Sequence, residues 1–164
     1  MIKAVYIKSN TWKEGYKLEE KKGLLLLHDS RLFYSHRVNM DSRFWKCTKS
    51  KDALIKCSGS CTVNSEDVII RQAEQKCKPL SDLEIEVLKF NINVKQRAMS
   101  EDAGPSAIFY GERNKLIKRT NVDTETLFKF LPAFSKMRSV ISKRKKHRRP
   151  NLPVNMKDIK VEGK

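Results

Sequence analysis

Apolar and polar residues alternate through the first half of the chain, and this alternation gives way to helical spacing after Pro79. Ile2, Ala4 and Tyr6 alternate with Lys3, Val5 and Ile7, and Tyr16 and Leu18 repeat the pattern weakly. These predict one or two short strands, broken at Ser9-Asn10 or at Gly15. Gly23 opens the run Leu24-Leu25-Leu26-Leu27, which His28-Asp29-Ser30 closes, as expected of a buried strand between turns. Leu32-Phe33-Tyr34 follows at hairpin distance, and Phe44-Trp45 follows the polar turn at residues 39–42. Leu54 to Val63 and Val68-Ile69-Ile70, joined through Asn64-Ser65-Glu66-Asp67, predict two more. Aromatic and β-branched residues suit a pleated, half-buried surface. Up to Cys77 the pattern predicts a meander of four or five short antiparallel strands and no helix.

After Pro79 the period is that of a helix. Ser81-Asp82-Leu83-Glu84 has the form of a capping box, and Leu83, Val87, Phe90, Val94 and Ala98 fall on one helical face. Residues 100–104 break this helix, and Pro105 suits the first turn of the next, with Ile108, Phe109, Leu116 and Ile117 as its stripe. Asn121 to Thr124 ends it. A third apolar series, Leu127, Leu131, Phe134, Met137 and Ile141, contains Pro132, which kinks or divides it. The fold class is therefore α+β, a small antiparallel β-domain followed by a helical segment. Its predicted units are 1–79, a basic helical region 80–149, and an extended tail 150–164.

Charge narrows the functional classes. The 164 residues carry a formal net charge of +16. Residues 1–78 hold 16 Lys/Arg against 9 Asp/Glu, and the remainder 19 against 10, so both halves are basic. Such an excess favours a polyanionic partner, usually nucleic acid. The N-terminus has charged residues inside its apolar part and lacks the form of a signal peptide, and no apolar run approaches membrane-spanning length. A reducing, nuclear location without membrane association follows as an expectation, with metal binding or burial preferred to disulfides for the cysteines. Lys136, Arg138, Lys143, Arg144, Lys145, Lys146, Arg148 and Arg149 put eight cations into fourteen residues without an acid. More than helix-end stabilisation is needed to explain them, and they are read as a nucleic-acid or nuclear-import patch.

All four cysteines, Cys47, Cys57, Cys61 and Cys77, lie between Phe44 and Pro79. Lys46-Cys47, Lys56-Cys57 and Lys76-Cys77-Lys78 each set an ammonium beside a thiol, which favours the thiolate that binds metal. Lys22-Gly23, Leu26-Leu27, Phe33, Trp45-Lys46-Cys47, Cys57 and Glu74-Gln75-Lys76-Cys77 resemble the FLYWCH zinc finger over residues 16–79. Nine residues separate Cys47 from Cys57, and seventeen separate Cys57 from Gln75. The family pattern ends in His-x-His, where this chain has Gln75 and Cys77. The resemblance implies a zinc site, DNA binding through a strand edge with flanking Lys/Arg on phosphates, and no catalysis. The helices, Leu131-Pro132 and the closing Arg148-Arg149-Pro150-Asn151-Leu152-Pro153 resemble the region after the finger in Mutator-like transposases, whose catalytic domain would begin where this chain stops.

A structural zinc needs four Cys or His ligands. Cys47, Cys57 and Cys77 supply three, and Gln75 is a neutral amide. In an extended strand Cys57 and Cys61 would stand about 13 Å apart, too far to share an ion. Gly59 permits a bend, but the resemblance implies a buried aliphatic strand position for Cys61, where a free cysteine is comfortable. Three readings remain: three cysteines completed by water or Gln75, all four cysteines, or a metal-free finger. Trp45 is expected to be buried against Leu26 or Phe33. Arg31, Arg37, Arg43 and Lys46 are the candidate base-reading residues of the β-domain, and His28, His36 and His147 are read as ordinary surface or turn residues. Two functional classes follow, a DNA-binding regulator and a module that binds other nuclear proteins.

Overall fold

The computed structural model describes residues 2–9, 20, 21 and 23–148, with side chains to Lys146. Within them, β1 (Val5–Lys8), β2 (Leu24–His28), β3 (Arg31–Val38), β4 (Ser42–Cys47), β5 (Ser60–Asn64) and β6 (Ile69–Ala73) form one antiparallel sheet in sequence order. It has six strands, where the alternation predicted four or five. Tyr16, Leu18 and the extended tail lie outside the described residues.

Each predicted break has a local cause. Asp29 and Ser30 join β2 to β3 with φ of 47° and 54°, as a two-residue type I′ hairpin requires. Asn64 closes the β5–β6 turn by accepting the N–H groups of Glu66 and Val68 on Oδ1. The strand predicted from Leu54 begins only at Ser60. Cys47 ends β4 in a 3-10 turn, Thr48–Lys51, and Asp52 Oδ1 then accepts from the N–H groups of Leu54 and Ile55. Leu54 is fully exposed, so this apolar pair has no partner to hold it extended.

The ends of the meander meet. Lys3 bridges Val68, Ala4 N–H donates to the Asp67 carbonyl and Ile69 N–H donates to the Ile2 carbonyl. Tyr6 donates to Asp67 Oδ1 at 2.8 Å, while Lys21 donates to Oδ2 at 3.0 Å and lies over the Tyr6 ring. Burial and the adjoining Asp67 carboxylate raise the Tyr6 phenol pKa, so the phenol stays a donor. The sheet therefore curls around one face, which carries Leu24, Leu26, Phe33, Trp45, Cys47, Cys61 and Val63. Trp45 has no exposed surface, clusters with Leu26 and Phe33 as expected, and sits 5.6 Å from the Tyr6 ring. Emptying such a site costs about 3–5 kcal/mol.

Four helices follow: α1 (Asp82–Ser100), α2 (Pro105–Thr120), α3 (Thr124–Phe130) and α4 (Phe134–Arg148). The capping box is complete: Ser81 Oγ accepts Glu84 N–H, and Glu84 Oε2 accepts Ser81 N–H. Pro105 stands at the start of α2, Asn121 ends it at φ 49°, and Pro132 separates α3 from α4. The predicted stripes converge on a core of Val87, Phe90, Val94, Ile108, Leu116, Leu127 and Ile141 that shares no residue with the sheet core. Among the described residues, no helix is long and apolar enough to cross a membrane.

Candidate metal centre and basic surfaces

The three thiols come from three different places in the chain. Cys47 is the last residue of β4, Cys57 follows the turn at Asp52, and Cys77 lies beyond β6. Lys56 at φ 41° reverses the backbone before Cys57, and Cys57 N–H is held by the Lys49 carbonyl. Cys47 N–H donates to the Gly59 carbonyl at 2.9 Å, and Arg31 Nε donates to the Cys77 carbonyl at 3.0 Å. All three sulfurs lie within 4.8 Å of one another, Cys47 and Cys77 being 3.6 Å apart. Two thiolates on one tetrahedral zinc, each at about 2.3 Å, would be about 3.8 Å apart. Cys61, opposite Trp45 on β5, is buried in the sheet core and is not in this group.

The surroundings treat the sulfurs unequally. Burial opposes a Cys57 thiolate, but the N–H groups of Gly59, Cys77 and Lys76 and the Cys77 thiol outweigh it and lower the pKa to about 7. Burial pushes Cys47 up to about 12, against one N–H from Lys49 and with the neighbouring sulfurs of Cys77 and Cys57 adding to the rise. Burial likewise raises Cys61 to about 12, as befits a core thiol. Cys57 thus ionises before Cys47, and its charge disfavours a thiolate there unless a cation joins the group.

Gln75 supplies a second sign that the place suits a cation. Its side chain lies on Gly59, where a Cβ would come within 2.6 Å of Gln75 Cγ. Both its Oε1 and its Nε2 are buried without a hydrogen-bond partner. Leaving an amide so costs about 1–3 kcal/mol, which a ligand or a metal-bound water beside it would offset. From the sequence Gly59 is read only as permitting a bend between Cys57 and Cys61; its close approach to Gln75 is visible in the structure alone.

The four candidate base-reading residues divide between the faces of the sheet. Arg31 is tied to the carbonyls of Cys77 and Asp29, and Arg43 Nη1 donates to Ser35 Oγ at 3.2 Å. Arg37 and Lys46 lie on the opposite, outer face, where Arg37 pairs with Phe44 and Lys46 with Tyr34. His36 occupies the bulge between Ser35 and Arg37, with its ring 6.3 Å from Tyr34 and 6.1 Å from Phe44. Partial desolvation, with Lys46, Arg37 and Lys51 nearby, lowers its pKa. His28 is not an ordinary turn residue: it is buried, with Nε2 2.9 Å from Gln72 Oε1, because its position in β2 points it inward with Leu26.

On α4, Lys143 and Lys146 are exposed. Arg144 reaches the Met99 sulfur, and Lys145 Nζ donates to the Asp102 carbonyl at 2.8 Å. Arg148 ends the helix, and Arg149 lies outside the described residues.

Residues 16–76 match the family model of the FLYWCH zinc finger domain, a non-catalytic module. No curated protein and no solved structure matches the chain.

Proposed function

We propose that this chain is a zinc-binding, FLYWCH-type DNA-binding protein of the nucleus, derived from a transposase. The convergence of Cys47 and Cys57, inside the matched segment, with Cys77, the residue just after it, carries this reading. Cys47, Cys57 and Cys77 would hold the ion, with Gln75 or a water it orients as the fourth ligand. The ion's chemistry would be structural: it ties the end of β4, the following loop and the segment after β6 together, and its binding energy becomes folding energy.

Residues 1–79 form the metal-stapled β-unit of this proposal, and 80–149 the basic helical unit, each with its own core. Lys143, Arg144, Lys145, Lys146, Arg148 and Arg149 supply phosphate contacts and nuclear entry. Sequence preference belongs to the β-unit, where Arg37 and Lys46 are better placed than Arg31 and Arg43, whose guanidinium groups hold the fold. The transposase origin is supported by the helix order and by Leu131-Pro132 at the α3–α4 break.

The test is metal content of protein purified without chelator, together with anisotropy of a labelled duplex across a salt series. Zinc near one equivalent and a steep fall of affinity with salt support the reading. A partner-binding reading has one observation in its favour: Tyr110 and Phe128 are exposed together around the Arg113 guanidinium, which sits 4.7 Å from the Tyr110 ring and 5.5 Å from that of Phe128. Binding to another nuclear protein through this cluster would be nearly indifferent to salt.

A further inference from the structure

The geometry points to the outer face of the sheet as a binding surface for single-stranded nucleic acid, with bases stacked on Tyr34, His36 and Phe44 and phosphates held by the flanking cations. This inference rests on the nucleic-acid reading above and names the surface and the form of the polymer.

Three rings stand in file across β3 and β4, at successive centroid separations of 6.3 and 6.1 Å. Cations border the file. Lys46 is the cross-strand partner of Tyr34 and Arg37 that of Phe44, while Lys51 Nζ stands 5.6 Å from the Tyr34 ring. Continuing outward, Phe44 pairs with Thr62 and Thr62 with Arg71. These residues, with Ser60 and Ala73, line a shallow depression of about 280 Å³ that contains no carboxylate. Alternating rings and cations are what a single strand requires, since each base offers a π-face and each linkage a charge.

The dimensions disfavour seating the full breadth of this face in a duplex groove. Tyr34 on β3 and Arg71 on β6 are three strand spacings apart, about 14 Å. The major groove is about 12 Å wide and admits a helix or a two-stranded ribbon, not a broad sheet face. Bases stacked inside a duplex also cannot lie on the rings of Tyr34 and Phe44, which are half-buried in the sheet face, or on that of His36, which is exposed. A single strand, with its bases turned out, meets both conditions.

The experiment measures anisotropy of the full chain with labelled dT20, U20 and a 20-base-pair duplex, each over a salt series. The proposal expects dT20 or U20 to bind, and the ratio of the two arms identifies DNA or RNA as the preferred source. Tyr34→Leu and Phe44→Leu, which keep apolar bulk on the sheet, should each weaken single-strand binding about tenfold and leave duplex affinity within twofold. Lys46→Ala with Arg71→Ala should flatten the single-strand salt slope by about 0.7 for each lost phosphate contact. Ultraviolet crosslinking of the unaltered protein to dT20 reports independently of any folding defect and should label peptides spanning residues 31–47. Single-strand binding that is unaffected by both leucine variants, or crosslinks confined to residues 134–148, would overturn the inference. Duplex binding without single-strand binding sinks this inference alone, and loss of both at low salt sinks the nucleic-acid reading as well.

Discussion

Gly59 and Gln75 approach so closely that a methyl group on Gly59 would stand 2.6 Å from Gln75 Cγ. Gly59 also accepts Cys47 N–H and directs its own N–H at the Cys57 sulfur, so one glycine serves two thiols and packs against the Gln75 side chain. Gly59→Ala should displace Gln75 and lower zinc affinity about tenfold, as loss of a supporting contact does elsewhere. Competition with a chromophoric chelator measures it. An unchanged affinity would separate Gln75 from the site.

Gln75→His tests the same position in the opposite direction. Imidazole nitrogen is a far better zinc ligand than a neutral amide, so this variant should bind zinc more tightly in the same competition assay. Equal affinity would mean that position 75 does not face the ion.

Metal binding should depend on pH with a sign set by Cys57. Its folded pKa of about 7 lies below the ordinary thiol value, so its thiolate stabilises the fold at high pH. That stabilisation is lost as pH falls through about 7. Zinc competes with the same protons, and its affinity should fall over this range. Chelation at neutral pH should melt the sheet while leaving the four helices, which circular dichroism and near-ultraviolet tyrosine and tryptophan signals would resolve. Simultaneous loss of both signals would show that the two cores do not fold separately.

Lys143→Ala, Arg144→Ala, Lys145→Ala and Lys146→Ala together should weaken binding to all DNA sequences alike and flatten the salt slope. Because Arg144 also contacts Met99 on α1 and Lys145 the Asp102 carbonyl just after it, the pair Lys143→Ala, Lys146→Ala gives the cleaner measurement. Each lost duplex phosphate contact should reduce the slope by about 0.9. Loss of preference among sites, with nonspecific binding unchanged, would show that the helix reads bases.

In the helical core, Glu112 is buried and its Oε1 accepts from Lys115 at 2.8 Å and Arg97 at 3.1 Å. Burial disfavours its charge, but these two cations outweigh burial and lower its pKa. The stability it contributes is present above the unfolded carboxylate pKa and lost as pH falls through the lower folded value. Glu112→Gln should cost about 2 kcal/mol at pH 7, since Lys115 is largely exposed while Arg97 is not. The difference from the unaltered protein should shrink in acid, as read by urea denaturation.

The order of elements was legible in the sequence because their causes are local. Alternation marked the strands, the Ser81–Glu84 box started α1, Pro105 opened α2 and Pro132 divided α3 from α4. The resemblance to the finger, with a lysine beside each of Cys47, Cys57 and Cys77, singled out the three thiols that converge. Other features depend on residues distant in sequence. Closure through Lys3 and Val68 and burial of His28 and Glu112 are decided by partners dozens of positions away or on another helix, and no local pattern encodes them. Leu54 and Ile55 looked like strand but found nothing to pair with. Arg37 shows the limit most directly. Counted by twos it belongs with Arg31, Phe33 and Ser35 on the inner face. The bulge at His36 inserts one residue opposite β4 and turns Arg37 to the side of Phe44 and Lys46. Strict alternation assigns faces only while the register holds, and a bulge is set by pairing between strands, so the division of the arginines between fold and surface belonged to the tertiary structure.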